Sequence, residues 1–189
     1  MTRTAVSIAV VLLSLSAPRA HAQESLVTVA GGFASTADGR DILSGGVASV
    51  DYYLSRRLSV VATVQRTTGT SEGFLYLSTW SRTDTFVGGG VRFSGRPWRR
   101  FELFAHGFVG GFRLAAVERP VRNFPRGRVF VDGSHARTVT AVVAGGGVGV
   151  YGTPRVGLRL GLDLQKTFEE DTLPQGRFTA ELVVGIGSR

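Results

Sequence analysis

The chain has 189 residues, a net charge of +8 and no cysteine, and its length suits a single domain. The missing cysteine excludes disulfides, thiolate metal sites, a cysteine nucleophile and a lipid-modified N-terminal cysteine. Lys166 is the only lysine, so the basic residues are almost all arginine. If such a basic protein is exported, we expect it to meet anionic lipid phosphates rather than nucleic acid.

Residues 1–22 have the features of a secretory signal peptide. Arg3 gives a positive start, the apolar stretch 5–17 is too short to span a bilayer as a helix, and residues 20–22 form a small-x-small cleavage site. A buried N-terminal helix is the alternative. Cleavage after Ala22 would leave a mature chain with 20 basic and 14 acidic residues, a net charge of +6. No later stretch is apolar enough for a transmembrane helix, so any membrane crossing would use strands.

The clearest strand is residues 155–168, where leucines alternate without a break with glycine, arginine, aspartate and glutamine. A period of two excludes a helix, because a 3.6-residue period would scatter the leucines around its axis. Similar stretches recur along the chain. The eight predicted strands are 25–35, 43–54, 57–67, 83–94, 101–113, 139–151, 155–168 and 177–187.

The predicted connections alternate between long and short, which places every long loop at one end and both termini at the other. Outer-membrane barrels have this asymmetry, with short periplasmic turns and longer outer loops. Proline cannot complete a strand ladder, and all five prolines after the signal peptide are predicted to lie in connections. They are Pro97, Pro120, Pro125, Pro154 and Pro174.

Alternation alone fits a soluble barrel with leucine inside or a membrane barrel with leucine outside. Three features favour the membrane barrel: an uncharged inner face on the first strand, glycines in the middle of strands, and aromatic residues at strand ends. The aromatic residues predict two girdles. One comprises Tyr52, Phe93, Trp98, Phe101 and Tyr151 at the short turns, and the other Phe33, Phe112, Phe168 and Phe178 at the long loops.

The predicted fold is therefore an all-β, eight-stranded antiparallel up-and-down transmembrane β-barrel over residues 23–189. A barrel of eight strands is filled by its own side chains, and charges in so narrow a space should pair. We expect Arg92 to lie near Glu102 and the lumen to be plugged, so that the barrel is not an open pore. The predicted luminal polar network is Asp51, Arg92, Glu102, Arg159, Asp163 and Glu181, with Gln65.

Across residues 23–189 the pattern resembles the small outer-membrane β-barrel families of the OmpA transmembrane domain, OmpX and the opacity-type proteins. The resemblance implies a monomer in the bacterial outer membrane, inserted by the barrel-assembly machinery, with loops used in adhesion or envelope integrity. Such proteins usually end in an aromatic residue, whereas this chain ends in Gly187-Ser188-Arg189.

Some small barrels modify lipid A, but the residues here favour no catalytic site. His106 lacks the serine two residues later that a barrel-type lipid A deacylase carries, and Glu102 lies about 13 Å away along the strand. His135 is expected to be solvated. The glycine pattern at 147–152 is followed by a strand rather than the helix of a dinucleotide site. The acidic run 169–171 supplies too few ligands for a cation, so we expect no metal and no cofactor.

The third long loop carries five arginines, Arg119, Arg122, Arg126, Arg128 and Arg137. Arginine suits bidentate phosphate contacts, so this loop is predicted to bind lipopolysaccharide phosphates or another anionic ligand. The alternative is that the arginines merely lie among outer-leaflet phosphates. Three functions remain open: a structural or surface-interaction barrel, which we prefer, a lipid A-modifying enzyme barrel, and a soluble periplasmic barrel that binds an apolar ligand.

Overall fold

The structure, a computed structural model, describes residues 27–38, 41–55, 57–72, 78–98, 100–120, 134–153, 155–168 and 173–187. These residues form antiparallel strands joined in chain order, and β1 pairs with β8 to close the barrel. The predicted eight-stranded up-and-down barrel is therefore confirmed. The strands are β1 (Val27–Asp38), β2 (Asp41–Tyr53), β3 (Leu58–Glu72), β4 (Ser78–Trp98), β5 (Phe101–Pro120), β6 (Ser134–Tyr151), β7 (Val156–Thr167) and β8 (Gln175–Ile186).

Within the described ranges, no helix is long and apolar enough to span a bilayer. The predicted signal peptide, residues 1–22, lies outside the described residues.

Side chains alternate between the two faces of the wall in the direction predicted for a membrane barrel. On β7 every second residue from Val156 is exposed and every second residue from Gly157 is buried. Leu162 is 70% exposed, whereas the charged Arg159 on the same strand is 1% exposed. Aliphatic and aromatic side chains thus cover most of the outside of the barrel, whereas its interior holds buried charged and polar side chains beside apolar ones.

Four strands, β3 to β6, extend well beyond the ends that the sequence pattern predicted, and three of them are especially long. β4, β5 and β6 have 21, 20 and 18 residues, where a tilted strand needs only about 9–11 to cross a bilayer. The extra residues of β6, 134–138, are exposed in succession, and residues 80–82 of β4 and 114–116 of β5 are all half-buried, so the alternation of burial stops while the backbone ladder continues. Together with the end of β3 they form a projecting sheet, defined here as residues 68–72, 78–82, 114–120 and 134–138.

The prediction that no proline lies in a strand was wrong for two prolines. Pro97 lies within β4, and Pro120 is the last residue of β5. The β4–β5 register shifts between Gly95 and Trp98, so Pro97 occupies an irregularity where no regular ladder hydrogen bond is required of it. Pro174 precedes β8, as predicted.

Two members of the predicted aromatic girdles lie inside the barrel instead. Tyr151 is 4% exposed and Phe112 is 3% exposed. Phe112 follows Phe108 by four residues and therefore shares its inward face, while the uniformly apolar β6 gave no signal for the direction of Tyr151. Among the others with described side chains, Tyr52, Phe93 and Phe101 are exposed at the short turns, and Phe33, Phe168 and Phe178 at the long loops. The side chain of Trp98 is outside the described set.

An apolar cluster fills one side of the lumen. Its buried members come from β3 to β6, the same four strands that form the projecting sheet, and Leu114 and Val139 pack against it. This packing anchors the base of the projecting sheet in the barrel. The cluster consists of Val61, Phe86, Phe108, Phe112, Ala141 and Val143.

Candidate functional site

The short-turn half of the lumen contains a buried network that links six of the eight strands. Each member projects from an inward-facing position of its strand, because period two brings every second residue to the interior. We call it the Asp51–Arg159 network. Its members are Thr28, Asp51, Tyr53, Arg92, Glu102, Tyr151 and Arg159.

Asp51 and Arg159 are the centre of this network. Asp51 Oδ2 accepts hydrogen bonds from Arg92 Nη1, from Arg159 Nη1 at 2.6 Å and from Thr28 Oγ1 at 3.1 Å. Arg159 Nη2 also donates to the Tyr53 hydroxyl at 2.8 Å. Asp51 and Arg159 are each 1% exposed, so these charges are compensated by one another rather than by water.

Glu102 is the second acid of the network. Its Oε2 atom lies 3.4 Å from Arg159 Nε and accepts a hydrogen bond from the Tyr151 hydroxyl. The sequence predicted Arg92 as the partner of Glu102. Arg92 instead pairs with Asp51, because the β4–β5 register aligns Arg92 with His106, four residues beyond Glu102.

Phe104 lies beneath both arginines of the network. Its ring centroid is 5.1 Å from Arg92 Cζ and 5.8 Å from Arg159 Cζ, within the range of a cation–π contact. The ring has room because the neighbouring inward position on β6 is Gly147. A Cβ atom there would lie 2.8 Å from Phe104 Cζ and 1.9 Å from the backbone oxygen of Leu160.

A second network occupies the long-loop half of the lumen, and we call it the Asp163–Arg177 network. Arg177 donates to Gln65 Oε1 and to Gln165 Oε1, the latter at 3.3 Å, and lies 4.0 Å from Asp163. Gln65 Nε2 in turn donates to Thr36 Oγ1 at 3.1 Å. The Arg177 guanidinium also lies 5.3 Å from the centroid of Phe86, which joins this network to the apolar cluster.

His106 connects the acidic and aromatic parts of the interior. Its Nε2 atom is 2.8 Å from Asp163 Oδ1, and its ring stacks between Phe104 and Phe108 with centroid distances of 5.6 and 4.3 Å. A histidine oriented by a carboxylate is half of a Ser–His–acid site. Within the described residues, however, His106 Nδ1 has no hydrogen-bond partner, so no serine or threonine hydroxyl completes such a site.

All six residues predicted for the luminal polar network are buried in the interior, and five of them belong to the two networks. Asp51, Arg92, Glu102 and Arg159 lie in the first and Asp163 in the second. Glu181 is 6% exposed and faces Arg159 across the β7–β8 register.

Sequence reasoning missed Arg177, the centre of the second network. It lies two and four residues before Thr179 and Glu181, so the alternation of β8 already placed it on the inward face. Tyr53 and Tyr151 were also missed, as was Asp84, which forms a bidentate pair with Arg82 with both contacts at 2.8 Å.

Charge is sorted by sign between the inside and the outside of the barrel. Every acidic residue whose side chain the structure describes is buried in the interior, namely Asp51, Asp84, Glu102, Asp163 and Glu181. The exposed charged residues in the same part of the chain are all basic. They are Arg57, Arg66, Arg100, Arg113, Arg137, Arg155 and Lys166.

The five arginines predicted for the third long loop are only partly described. Arg137 is exposed on β6, and the backbone of Arg119 pairs with Thr79 in the projecting sheet, so both lie in strands rather than in a loop. Arg122, Arg126 and Arg128 lie outside the described residues, as does the acidic run 169–171. Within the described ranges, no cluster of acids and histidines could hold a metal ion.

Removing the Tyr151 hydroxyl tests whether the network contributes to stability. We expect Tyr151→Phe to lower the free energy of unfolding by about 1–3 kcal/mol, because the buried Glu102 carboxylate loses a hydrogen-bond donor. Unfolding by denaturant in lipid vesicles measures this difference. Tyr52→Phe, at a position 46% exposed on the outer face, is the matched control and should change stability little. Equal effects of the two substitutions would contradict the prediction.

Solved structures of small outer-membrane proteins share this fold. Ail, the attachment invasion locus protein of Yersinia pestis, is 16% identical, with a TM-score of 0.61 over 87% of this chain and 100% of Ail. A structure of Ail with the heparin analogue sucrose octasulfate gives the same values. Neisserial surface protein A is 12% identical, with a TM-score of 0.58 over 84% of this chain and 95% of that protein.

No family model matches the chain, and neither does any curated protein. The resemblance to small outer-membrane barrels is thus confirmed at the level of the fold, and at these identities the fold is all that the likeness shows.

Proposed function

We propose that this chain is an integral barrel of the bacterial outer membrane with a structural or surface-interaction role. The observation that carries the proposal is the inverted distribution of side chains, with apolar residues exposed around the wall and charges buried inside. Soluble monomers rarely expose contiguous apolar patches beyond about 600 Å². In a lipid environment an apolar outer wall is not exposed to water. A closed barrel also leaves no unpaired strand edge within the hydrocarbon.

The same distribution argues against a soluble barrel that stores an apolar ligand. Such a protein needs an apolar cavity, and here the described interior is occupied by two polar networks and an apolar cluster of packed side chains. The wall, in contrast, exposes Leu162, Val87 and Leu182 at 70%, 58% and 56%.

The surface role is assigned to the projecting sheet and the long loops that it supports. Four strands extend past the barrel wall and carry exposed residues such as His135 and Arg137 toward the outside. Ail is described as an attachment invasion protein, but it is only 16% identical to this chain. The adhesive role proposed for this chain is therefore based on the projecting strands of this chain itself.

The proposed partners follow from the location and from the basic outer surface. They are outer-membrane lipids and lipopolysaccharide, with the loop arginines as phosphate contacts, and the barrel-assembly machinery during insertion. The proposal also includes export by the signal peptide, cleavage after Ala22 and a monomeric state, with no cofactor and no catalytic residues.

Membrane insertion is tested with the mature chain refolded into phospholipid vesicles. We expect it to require detergent or lipid, to resist extraction by carbonate, and to migrate differently on gels before and after boiling. A mature chain that stays folded and monodisperse in plain buffer would overturn the proposal.

The lumen is proposed to be closed to ions. Three arginines, Arg92, Arg159 and Arg177, pair with Asp51, Glu102 and Asp163 across its width, and the apolar cluster fills one side. Inserted protein should therefore give little or no current in planar bilayers. Large steady single-channel currents would contradict the closed lumen while leaving the membrane location intact.

A further inference from the structure

Each of the three short turns places an exposed arginine immediately before the first residue of the next strand. We call Arg57, Arg100 and Arg155 the turn arginines; they precede β3, β5 and β7. The backbone oxygen of each accepts a hydrogen bond from the next strand of the barrel, so the three occupy the same position in the sheet. The donors are Ser94 N at 2.8 Å, Tyr151 N at 2.8 Å and Gly185 N at 2.6 Å.

Two of these turns are built in the same way. Ser55 Oγ accepts hydrogen bonds from the backbone N–H groups of Arg57 and Leu58, at 3.3 and 3.1 Å. Thr153 Oγ1 accepts from those of Arg155 and Val156, at 3.3 and 3.0 Å. A hydroxyl that bonds the backbone two and three residues later fixes the turn, and with it the position of the arginine.

The turn arginines carry charge that nothing in the described structure compensates. The guanidinium groups of Arg92, Arg159 and Arg177 are occupied by luminal partners, whereas those of the turn arginines are exposed and make no ion pair with a described residue. The sequence adds Arg56 to the first of these turns and Arg96 and Arg99 to the second, and segments 54–58, 94–101 and 151–156 contain no acidic residue. The charged residues of the three short turns are therefore all basic.

The depth of the turn arginines identifies their partner. The neighbouring outward-facing residues are apolar, with Leu54, Phe93 and Phe101 exposed at 58%, 60% and 47%. One residue of strand spans about 3.4 Å, so the arginines begin where the apolar belt ends, at the level of the lipid headgroups. Turns this short extend no further into the aqueous compartment, which favours a headgroup over a soluble partner.

We propose that the turn arginines bind the phosphates of anionic phospholipids in the leaflet that meets the short turns. This inference rests on the proposed membrane location. A guanidinium presents two parallel N–H donors to a phosphate, and each basic residue near an anionic surface contributes about fivefold in affinity at low salt. The three equivalent positions would gather a shell of anionic lipid around this rim.

The absence of cysteine allows a local reporter at this end of the barrel. Gly152 is exposed, and a Cβ atom there would meet nothing within 4 Å, so Gly152→Cys can carry a fluorophore. Its quenching by nitroxide-labelled phosphatidylglycerol is compared with that by nitroxide-labelled phosphatidylcholine at equal mole fraction. The ratio reports local enrichment of the anionic lipid. Gly176→Cys, whose Cβ is equally free, gives the reporter at the long-loop end.

We expect the Gly152→Cys ratio to be severalfold above one, to fall toward one in Arg57→Gln/Arg100→Gln/Arg155→Gln, and to fall in high salt. The Gly176→Cys ratio should not respond to these substitutions. The matched control is Arg66→Gln/Arg113→Gln/Lys166→Gln, which removes the same charge from exposed positions on the other half of the barrel. It should leave the Gly152→Cys ratio unchanged.

A ratio at Gly152→Cys that is equal in the parent chain and the turn variant would overturn the inference, as would an equal fall in the control variant. A turn variant that loses binding to soluble carboxylate-bearing glycan fragments, while its lipid ratio equals that of the parent chain, would assign the arginines to a soluble partner. That result would also overturn the inference. The heat-dependent gel shift is recorded first for every variant. A parent chain that does not insert refutes the proposed function, whereas inserted protein without lipid enrichment refutes only this inference.

Discussion

Arg159→Met is expected to lower the free energy of unfolding by about 3–5 kcal/mol, because it removes one partner of a buried ion network. Glu102 would retain only the Tyr151 hydroxyl, and Asp51 would keep Arg92 as its sole cation. The measurement is denaturant unfolding of the inserted barrel in lipid vesicles. The heat-dependent gel shift reports the folded fraction at each denaturant concentration. Arg66→Met, at an exposed position on β3, is the control and should have little effect.

A second substitution distinguishes lost charge compensation from lost packing. Glu102→Gln removes the carboxylate that Arg159→Met leaves without a cation, so the double variant should recover part of the lost stability. If the loss of unfolding free energy in the double variant equals the sum of the losses in Arg159→Met and Glu102→Gln, the two side chains are not coupled. That result would contradict the network described here.

Gly147→Ala is expected to destabilise the barrel by about 3 kcal/mol or more, at the upper end for overpacked positions. The added Cβ would lie 1.9 Å from the backbone oxygen of Leu160, and β6 and β7 cannot separate there without breaking the ladder at Gly147 and Gly161. The yield of heat-shifted protein and the unfolding midpoint in vesicles measure the effect. Gly152→Ala, where a Cβ meets nothing within 4 Å, is the control.

A companion variant identifies which contact is responsible. Phe104→Leu would relieve the 2.8 Å approach of a Cβ at Gly147 to the phenyl ring but not its contact with the Leu160 oxygen. We therefore expect Phe104→Leu to leave Gly147→Ala nearly as unstable as before. Full rescue would show that the ring, and not the neighbouring backbone, excludes a side chain at this position.

The fold could be predicted because lipid and lumen impose opposite chemistry on alternate residues. That contrast is strongest on β7, where the residues from Val156 to Gln165 alternate without exception. The prediction failed where the contrast vanishes. Residues 134–138 are all exposed and residues 114–116 are all half-buried, so neither segment has the two contrasting faces that mark a strand in the sequence.

The interior was less predictable than the wall. Alternation identifies which residues of one strand face inward, but partners are set by the register between strands that are distant in sequence. Asp51 and Arg159 lie 108 residues apart, and no local pattern could pair them. Inward aromatic residues were mistaken for girdle residues for a related reason, since Phe112 and Tyr151 lie near strand ends whichever way they point.

The seam between β1 and β8 determines the order in which this molecule can form. Val27 pairs with Ile186, so β1 and β8 meet only after every strand between them is available. Until then each end of the growing sheet exposes a row of unsatisfied amides, which hydrocarbon does not tolerate. Folding must therefore approach a single concerted step, and a chain that stops before β8 should have no stable partial product in the bilayer.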